Sequence, residues 1–373
     1  MKRLFNVIND AQIGLVRGLV VQTDLGTLIA ANPDTQNIQR STDNGLSWET
    51  VYTIPNNTSP IGLFLDSNGN VFFTTRMALP PFDEYGLIVR STNDGKTFSL
   101  VLTGESSAFW NIAEDPDGNL FAGEYSAGNQ DENELYGTNI WKSTDSGENW
   151  SKWFSGTPNT APTYRQGLRH IHAVNITSDG KIIAGFGDGM DWAESGTFLL
   201  NSDGTINKKI AHVRTGNGWI GFAEAENGDL FFGGDTSPTI MYRYDADNNI
   251  VYEAVDLVDS FSENHDQYLA DAAVGKDGVL YFLTNGSVSS GDKSFLIASG
   301  DNGQTWVSLE YQEDVKIAQT VFVNTTIEGS RVYIGRKNAE YVSIPDYTKA
   351  EIVAMYSSGG YHTDESTLSI VGN

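Results

Sequence analysis

The chain lacks cysteine altogether, and its 373 residues include only 5 histidines, 10 prolines and 23 basic residues against 48 acidic ones. Without cysteine there is no disulfide, no thiolate metal ligand and no cysteine nucleophile. A formal charge of −25 repels polyphosphates and anionic lipid surfaces at long range, so neither nucleic acid nor a membrane is expected as a partner. No run approaches the roughly 18 apolar residues of a membrane helix. After Met1-Lys2-Arg3 the segment Leu4 to Gly14 is broken by Asn6, Asn9, Asp10 and Gln12, so no apolar core of a signal peptide follows the basic start. These absences lead to the expectation of a soluble protein, cytoplasmic or virion-associated. The acidic residues are mostly scattered singly through turn-like segments and read as a solvated surface.

What is abundant is glycine and aromatic residues: 39 Gly, 18 Phe, 16 Tyr and 8 Trp. That pairing suits many short strands joined by tight turns and little helix. Four segments share one pattern: Ser41-Thr-Asp43-Asn-Gly45-Leu-Ser-Trp48, Ser91-Thr-Asn93-Asp-Gly95-Lys-Thr-Phe98, Ser143-Thr-Asp145-Ser-Gly147-Glu-Asn-Trp150 and Ser299-Gly-Asp301-Asn-Gly303-Gln-Thr-Trp306. Their third positions lie 50, 52 and 156 residues apart, and 156 is three times 52. Degenerate copies are expected between the last two, at Asn201-Ser-Asp203-Gly204 and Asp245-Ala-Asp247, and a seventh turn at Pro345-Asp346-Tyr347. A second series runs in step: a glycine turn before an apolar run, at Gly26, Gly69, Gly118, Gly180, Gly228, Gly278 and Gly329.

Each unit then reads strand, glycine turn, strand, variable loop, strand, aspartate turn, strand: a four-stranded antiparallel blade. The expected architecture is an all-β, seven-bladed propeller forming one domain over 1–373. Its blades are placed at 13–54, 60–104, 109–156, 170–216, 219–260, 267–314 and 319–356, with 357–373 as a tail. Either Leu368-Ser-Ile370 or Leu4-Phe-Asn-Val7 supplies a closing strand. In the aspartate turn, Asp or Asn accepts bonds from the turn's own amides, Gly takes a positive φ and Trp closes over the turn.

With these four turns the chain resembles the Asp-box, or BNR-repeat, proteins, whose best-known members are sialidases. The resemblance covers nearly the whole chain and concerns the scaffold. It implies that the aspartate turns serve folding and lie away from any active site. Sialidase activity itself is not implied: that family opens with an Arg-Ile-Pro motif, and the corresponding Val16-Arg17-Gly18 lacks the proline.

A site is therefore expected at the opposite end of the blades, where the loops vary: 76–85, 125–137, 187–195 and 285–292. The starts of the inner strands add Arg17, Trp110, Arg169-His170-Ile171-His172, Trp219 and Tyr268. Strand alternation puts His170 and His172 on one face, apart from Arg169 and Ile171. Glu124, Tyr125, Asp188, Asp191 and Trp192 come from neighbouring segments.

Three readings of this group stay open. The rings and imidazoles fill and satisfy the channel, with Glu124 paired to Arg169. Or they process a polysaccharide, with a carboxylate pair from Glu124, Asp188 and Asp191 for hydrolysis. In a lyase variant of that reading, His172, Tyr125 and Arg169 abstract a proton beside a neutralised carboxylate. Or two imidazoles and a carboxylate hold a metal. Glu124, Tyr125, Arg169, His170, His172 and Asp188 are thus the catalytic candidates; Arg17, Trp110, Asp191, Trp192, Trp219 and Tyr268 are the candidates for stacking on and gripping sugar.

No cofactor is implied. The loop Asn129-Gln-Asp131-Glu-Asn133-Glu134 reads as solvated, with calcium as the alternative, since it lacks the glycine and spacing of an EF-hand. The leading functional expectation is a carbohydrate-active propeller with a glycan partner. The rival is a non-enzymatic interaction module with a protein partner, such as a virion or receptor-binding component.

Overall fold

The structure, a computed structural model, describes residues 19–32, 36–43, 45–55, 58–77, 85–125, 138–156, 170–187, 196–211, 219–234, 240–245, 247, 250–256, 267–286, 296–309, 318–326, 329–336, 342–356 and 361–362. They divide into two compact units: Ile8–Lys209 with Val213–Gly218, and Trp219–Asn373 with Met1–Val7 and Ile210–His212.

The N-terminal unit is a succession of antiparallel meanders. The first contains β1 (Leu19–Gln22), β2 (Leu28–Asn32), β3 (Asn37–Ser41) and β4 (Glu49–Thr53). The second contains β5 (Thr58–Leu65), β6 (Val71–Met77), β7 (Leu87–Ser91) and β8 (Ser99–Thr103). The third contains β9 (Ala108–Glu114), β10 (Leu120–Tyr125), β11 (Asn139–Ser143) and β12 (Ser151–Ser155). The fourth contains β13 (His170–Ile176), β14 (Ile182–Gly187), β15 (Gly196–Leu200) and β16 (Ile206–Ala211). One bridge, Arg76 to Ala108, fuses the second and third into an eight-stranded sheet.

The C-terminal unit continues the pattern with β17 (Trp219–Glu224), β18 (Leu230–Gly234), β19 (Ile240–Asp245) and β20 (Ile250–Asp256). Next come β21 (Gln267–Val274), β22 (Leu280–Gly286), β23 (Leu296–Ser299) and β24 (Thr305–Leu309). The last sheet has, among the described residues, three strands, β25 (Ala318–Thr326), β26 (Gly329–Arg336) and β27 (Val342–Pro345).

Here the expectation of a fourth strand after the seventh turn is corrected: Pro345 leads into a helix, α1 (Lys349–Tyr356). Asp346 accepts the Tyr281 hydroxyl at 2.9 Å and the Lys276 amide at 2.9 Å, and Glu351 accepts the Thr348 amide at 2.8 Å at the helix start. These bonds turn the chain away from the sheet, and Ile352 is buried with Tyr281, Leu296 and Val307. The free edge of β24 is paired by β28 (Tyr361–His362). Leu4–Val7, Leu368–Ile370 and loop 129–134 lie outside the described residues.

The repeat is anchored by its turns. In all four complete aspartate turns the leading serine hydroxyl donates to the Asp or Asn side chain, and the glycine amide donates back to that serine over 2.8–3.0 Å. The glycines have φ between +70° and +83°, a region open to Gly without steric cost. A β-carbon on Gly95 would strike Ile29, on Gly147 the Phe72 ring, and on Gly303 the Phe231 ring. Each of these glycines thus seats its turn on the second strand of the preceding meander. Asp94, itself at φ +60°, extends the clasp. It accepts bonds from Thr23, Thr27 and Arg40 of the first meander. Burial opposes its ionisation, but these donors outweigh burial and hold the carboxyl below its ordinary value.

Candidate functional site: a ring cluster at the bulged ends of the inner strands

The first strands of successive meanders lie side by side within each unit. All those with a described partner at this level, β5, β9, β13, β17, β21 and β25, carry one extra residue at the same register. The first strand takes one step more than the second between Pro60 and Gly62, Phe109 and Ile112, Ile171 and Ala173, Trp219 and Gly221, Leu269 and Asp271, and Ala318 and Thr320. Such a bulge reverses the in-and-out alternation beyond it and re-aims side chains near a strand end.

In β13 it lets Ile171 and Val174, three residues apart, both join the core with Phe121, Phe186 and Phe198. His170 and His172 are left on the other side. In β9 the same step puts Phe109 and Ile112 in the core and turns out Trp110. Counting back from the strand end, Trp110 and His172 occupy equivalent places.

The N-terminal unit brings four predicted residues together here. Tyr125 stacks on His170, with ring centroids 4.1 Å apart and planes 27° apart. Its ring meets His172 edge-on at 5.5 Å and Trp110 edge-on at 5.2 Å. The two imidazoles face each other, His170 Nε2 to His172 Nε2, at 3.0 Å. Contact of that kind between two neutral rings requires one Nε2 to donate and the other to accept. Both histidines are buried, while Trp110 and Tyr125 are half-buried.

Three residues overlooked in the sequence hold this arrangement. Asn111, beside Trp110, donates its amide to the Val174 carbonyl at 2.7 Å and accepts the Val174 amide at 3.2 Å, locking β9 to β13. Gly123 admits Ile171, whose Cγ2 would lie 2.6 Å from an added β-carbon. Gly187, paired with His170 across β14, leaves the space the rings need: a β-carbon there would lie 1.9 Å from His172 Nε2 and 3.0 Å from His170 Cδ2. The apolar spacing of three in Ile171 and Val174, and a lone Asn inside an apolar strand, were the available signals.

Glu124 is not part of the cluster. Strand alternation sets it opposite Tyr125, and its fully buried carboxylate accepts the Glu105 amide at 2.6 Å and the Asn139 side-chain amide at 2.7 Å. Burial pushes this carboxyl above its ordinary value, against the pull of those two donors, and the nearby Glu105 charge adds to the rise. The group ties the β8–β9 connection to β10 and β11. Arg17, Arg169, Asp188, Asp191 and Trp192 lie outside the described residues. Trp219 opens β17 and Tyr268 lies in β21, both in the C-terminal unit. Among the described residues no group of three His, Cys, Asp or Glu is placed to hold a metal. Among the described residues no helix is long and apolar enough to cross a membrane.

No protein-family model matches the sequence, and no curated protein does. Solved structures do. The virginiamycin B lyase of Staphylococcus aureus is 16% identical, with 90% of this chain and 96% of that chain covered at a TM-score of 0.60. The extracellular domain of BT4673 from B. thetaiotaomicron is 13% identical at a TM-score of 0.58, covering 88% of this chain but only 38% of that longer chain. YCF48 bound to D1 peptide is 13% identical at 0.55, with 89% and 92% covered. At these identities the likeness concerns the fold. Together with the run of antiparallel meanders, it makes the chain a β-propeller.

Proposed function

We propose that the chain is a glycan-binding propeller of seven blades in one domain, and that the ring cluster of Trp110, Tyr125, His170 and His172 is its recognition site. The carrying observation is the half-buried aromatic pair of Trp110 and Tyr125, set edge to face at 5.2 Å, with Tyr125 against two buried imidazoles. The apolar face of a sugar ring packs on an aromatic face, while phenol and imidazole groups bond its hydroxyls. The cluster sits where β9 and β13 begin and β10 ends, at the strand ends that lead into 126–137 and 188–195, which lie outside the described residues. Arg17, Arg169, Asp188, Asp191 and Trp192, all outside the described residues, are the candidates to complete it. Propellers also recognise proteins, as YCF48 with its D1 peptide illustrates.

A second reading adds elimination chemistry, favoured by the facing imidazoles beside the Tyr125 phenol. One ring takes the proton next to a uronic carboxylate while Tyr125 protonates the departing oxygen. A catalytically inactive histidine-to-alanine variant of virginiamycin B lyase bound to quinupristin, 15% identical at a TM-score of 0.59, is among the similar structures.

A glycan array followed by calorimetry tests the binding reading. Trp110→Ala is expected to weaken the selected glycan by up to ~10-fold, the cost of one lost aromatic stack of ~0.5–1.5 kcal/mol. Failure of the wild-type chain to bind any neutral or acidic polysaccharide overturns it. Absorbance at 235 nm on uronic polysaccharides decides the elimination reading separately.

A further inference from the structure

We infer that Arg76 reads charge at the ring cluster: the glycan taken there carries a carboxylate on its sugar ring, and the Arg76 guanidinium grips it. This rests on the glycan reading and names the class of sugar which that reading leaves open. The bridge between the second and third meanders pairs Arg76 of β6 with Ala108 of β9, and Ala108 pairs in turn with Tyr125 of β10. Directly opposed residues of an antiparallel pair share a face, with β-carbons about 5 Å apart. Arg76 therefore stands two strands, about 10 Å, from Tyr125 on the face that carries the rings. Ala108, the residue between them, contributes no more than a buried methyl group.

The row is held from both sides. The Thr75 hydroxyl accepts the Leu87 amide at 3.0 Å, the Gly86 amide donates to the Ser106 carbonyl at 2.6 Å, and the Ser106 hydroxyl donates to the Tyr125 carbonyl at 3.0 Å. Gly86 is bare where β9 starts: a β-carbon on it would lie 2.7 Å from Ala108 Cα. Arg76 itself is exposed and makes no ion pair among the described residues. Arg40, by contrast, is tied to Asp94 and Glu49, Lys152 to Glu105 and Lys181 to Asp179. In a chain of formal charge −25 these cations answer the protein's own carboxylates, and Arg76 is left to answer a ligand's. A guanidinium meets a carboxylate through two parallel bonds. An acidic sugar presents that group at the rim of a ring whose apolar face packs on Trp110 or Tyr125. The net charge opposes densely sulfated chains most strongly, which favours the carboxylate as the group that Arg76 meets.

The test titrates the full chain with polygalacturonate, alginate, hyaluronate and polysialic acid, each beside its carboxyl-methylated form, which keeps the sugar and removes the charge. The expected result is that at least one acid binds more tightly than its ester. Arg76→Gln should weaken that acid roughly 10-fold or more, as the loss of hydrogen bonds to a charged group does, and leave the ester unchanged. Arg76→Lys keeps the charge without the fork and should recover part of the loss. Trp110→Ala should weaken acid and ester alike. Should a variant at Arg76 fail to fold, the wild-type comparison of acid with ester still decides. Equal binding of acid and ester, an Arg76→Gln loss equal on both, or tighter binding of dextran sulfate than of any acid overturns the inference. Binding of a neutral glycan with none of the acids does so too and leaves the glycan reading standing, whereas binding of no carbohydrate overturns both.

Discussion

The two ends of the strands in the N-terminal unit behave differently. At the turn end the meanders repeat one another: serine caps aspartate, glycine adopts positive φ, and the turn settles on the meander before it. At the bulge end the backbone repeats but the side chains do not, and one register position holds Ile61, Trp110 and His172 in successive meanders. A shared backbone with divergent side chains is how a scaffold carries a site. The difference teaches that repetition marks what folding needs, and that departure from repetition marks where recognition is built.

Changes at the turn end should therefore cost stability first. Trp306 is fully buried between Phe231 and Phe282, at 5.6 and 5.8 Å. Trp306→Ala should lose about 3–5 kcal/mol in urea unfolding, and the half-buried Trp150 distinctly less. Gly147→Ala, at φ +79° with its β-carbon 2.4 Å from the Phe72 ring, should lose ~1–3 kcal/mol. A change near zero would show that the turns do not clasp the preceding meander.

Glu124 sharpens the contrast, because it lies next to the cluster in sequence but belongs to the framework. Glu124→Ala strands the Glu105 amide and the Asn139 side chain and should cost about 1–3 kcal/mol. Its raised folded value means the charged form is penalised, so stability is greatest below the ordinary 4.5 and falls as pH rises through the folded value. Relative to the wild type, Glu124→Gln should gain stability as pH is raised from 4 towards neutrality, measured by Tm across buffers. A constant difference would contradict the assignment.

The smallest effect belongs to the exposed turn aspartates. The Ser47 hydroxyl and amide hold Asp43 at about 2, and the Asn149 amide and side chain hold Asp145 at about 2, both below the ordinary 3.8. With depressed folded values, their contribution is present above 3.8 and lost as pH falls through about 2. Asp145→Asn should flatten the acid limb of the stability profile between those values, and an unchanged limb would count against these bonds.

Much of this was legible in the sequence, for a physical reason. Tight turns need particular residues, so Ser, Asp, Gly and Trp at fixed offsets announce themselves, and His170 and His172 do meet as the alternation suggests. The bulge is harder to see, because it changes which residue faces inward without demanding a residue type; only the three-residue apolar step from Ile171 to Val174 betrays it. Asn111 and Gly187 act across strands far apart in the chain, and no local pattern reveals such partners. Glu124 was grouped with Tyr125 by adjacency, which in a strand means opposite faces. Helix α1 follows from the bonds of Asp346 to Tyr281 and Lys276, 65 and 70 residues away.

The most direct test compares glycan affinity, by calorimetry on the full chain, in Trp110→Ala and Glu124→Gln. If recognition resides in the ring cluster, the first substitution weakens binding by up to ~10-fold and the second leaves it unchanged. An affinity lost with Glu124 and retained without Trp110 would place recognition on the opposite face of β10 and contradict the account.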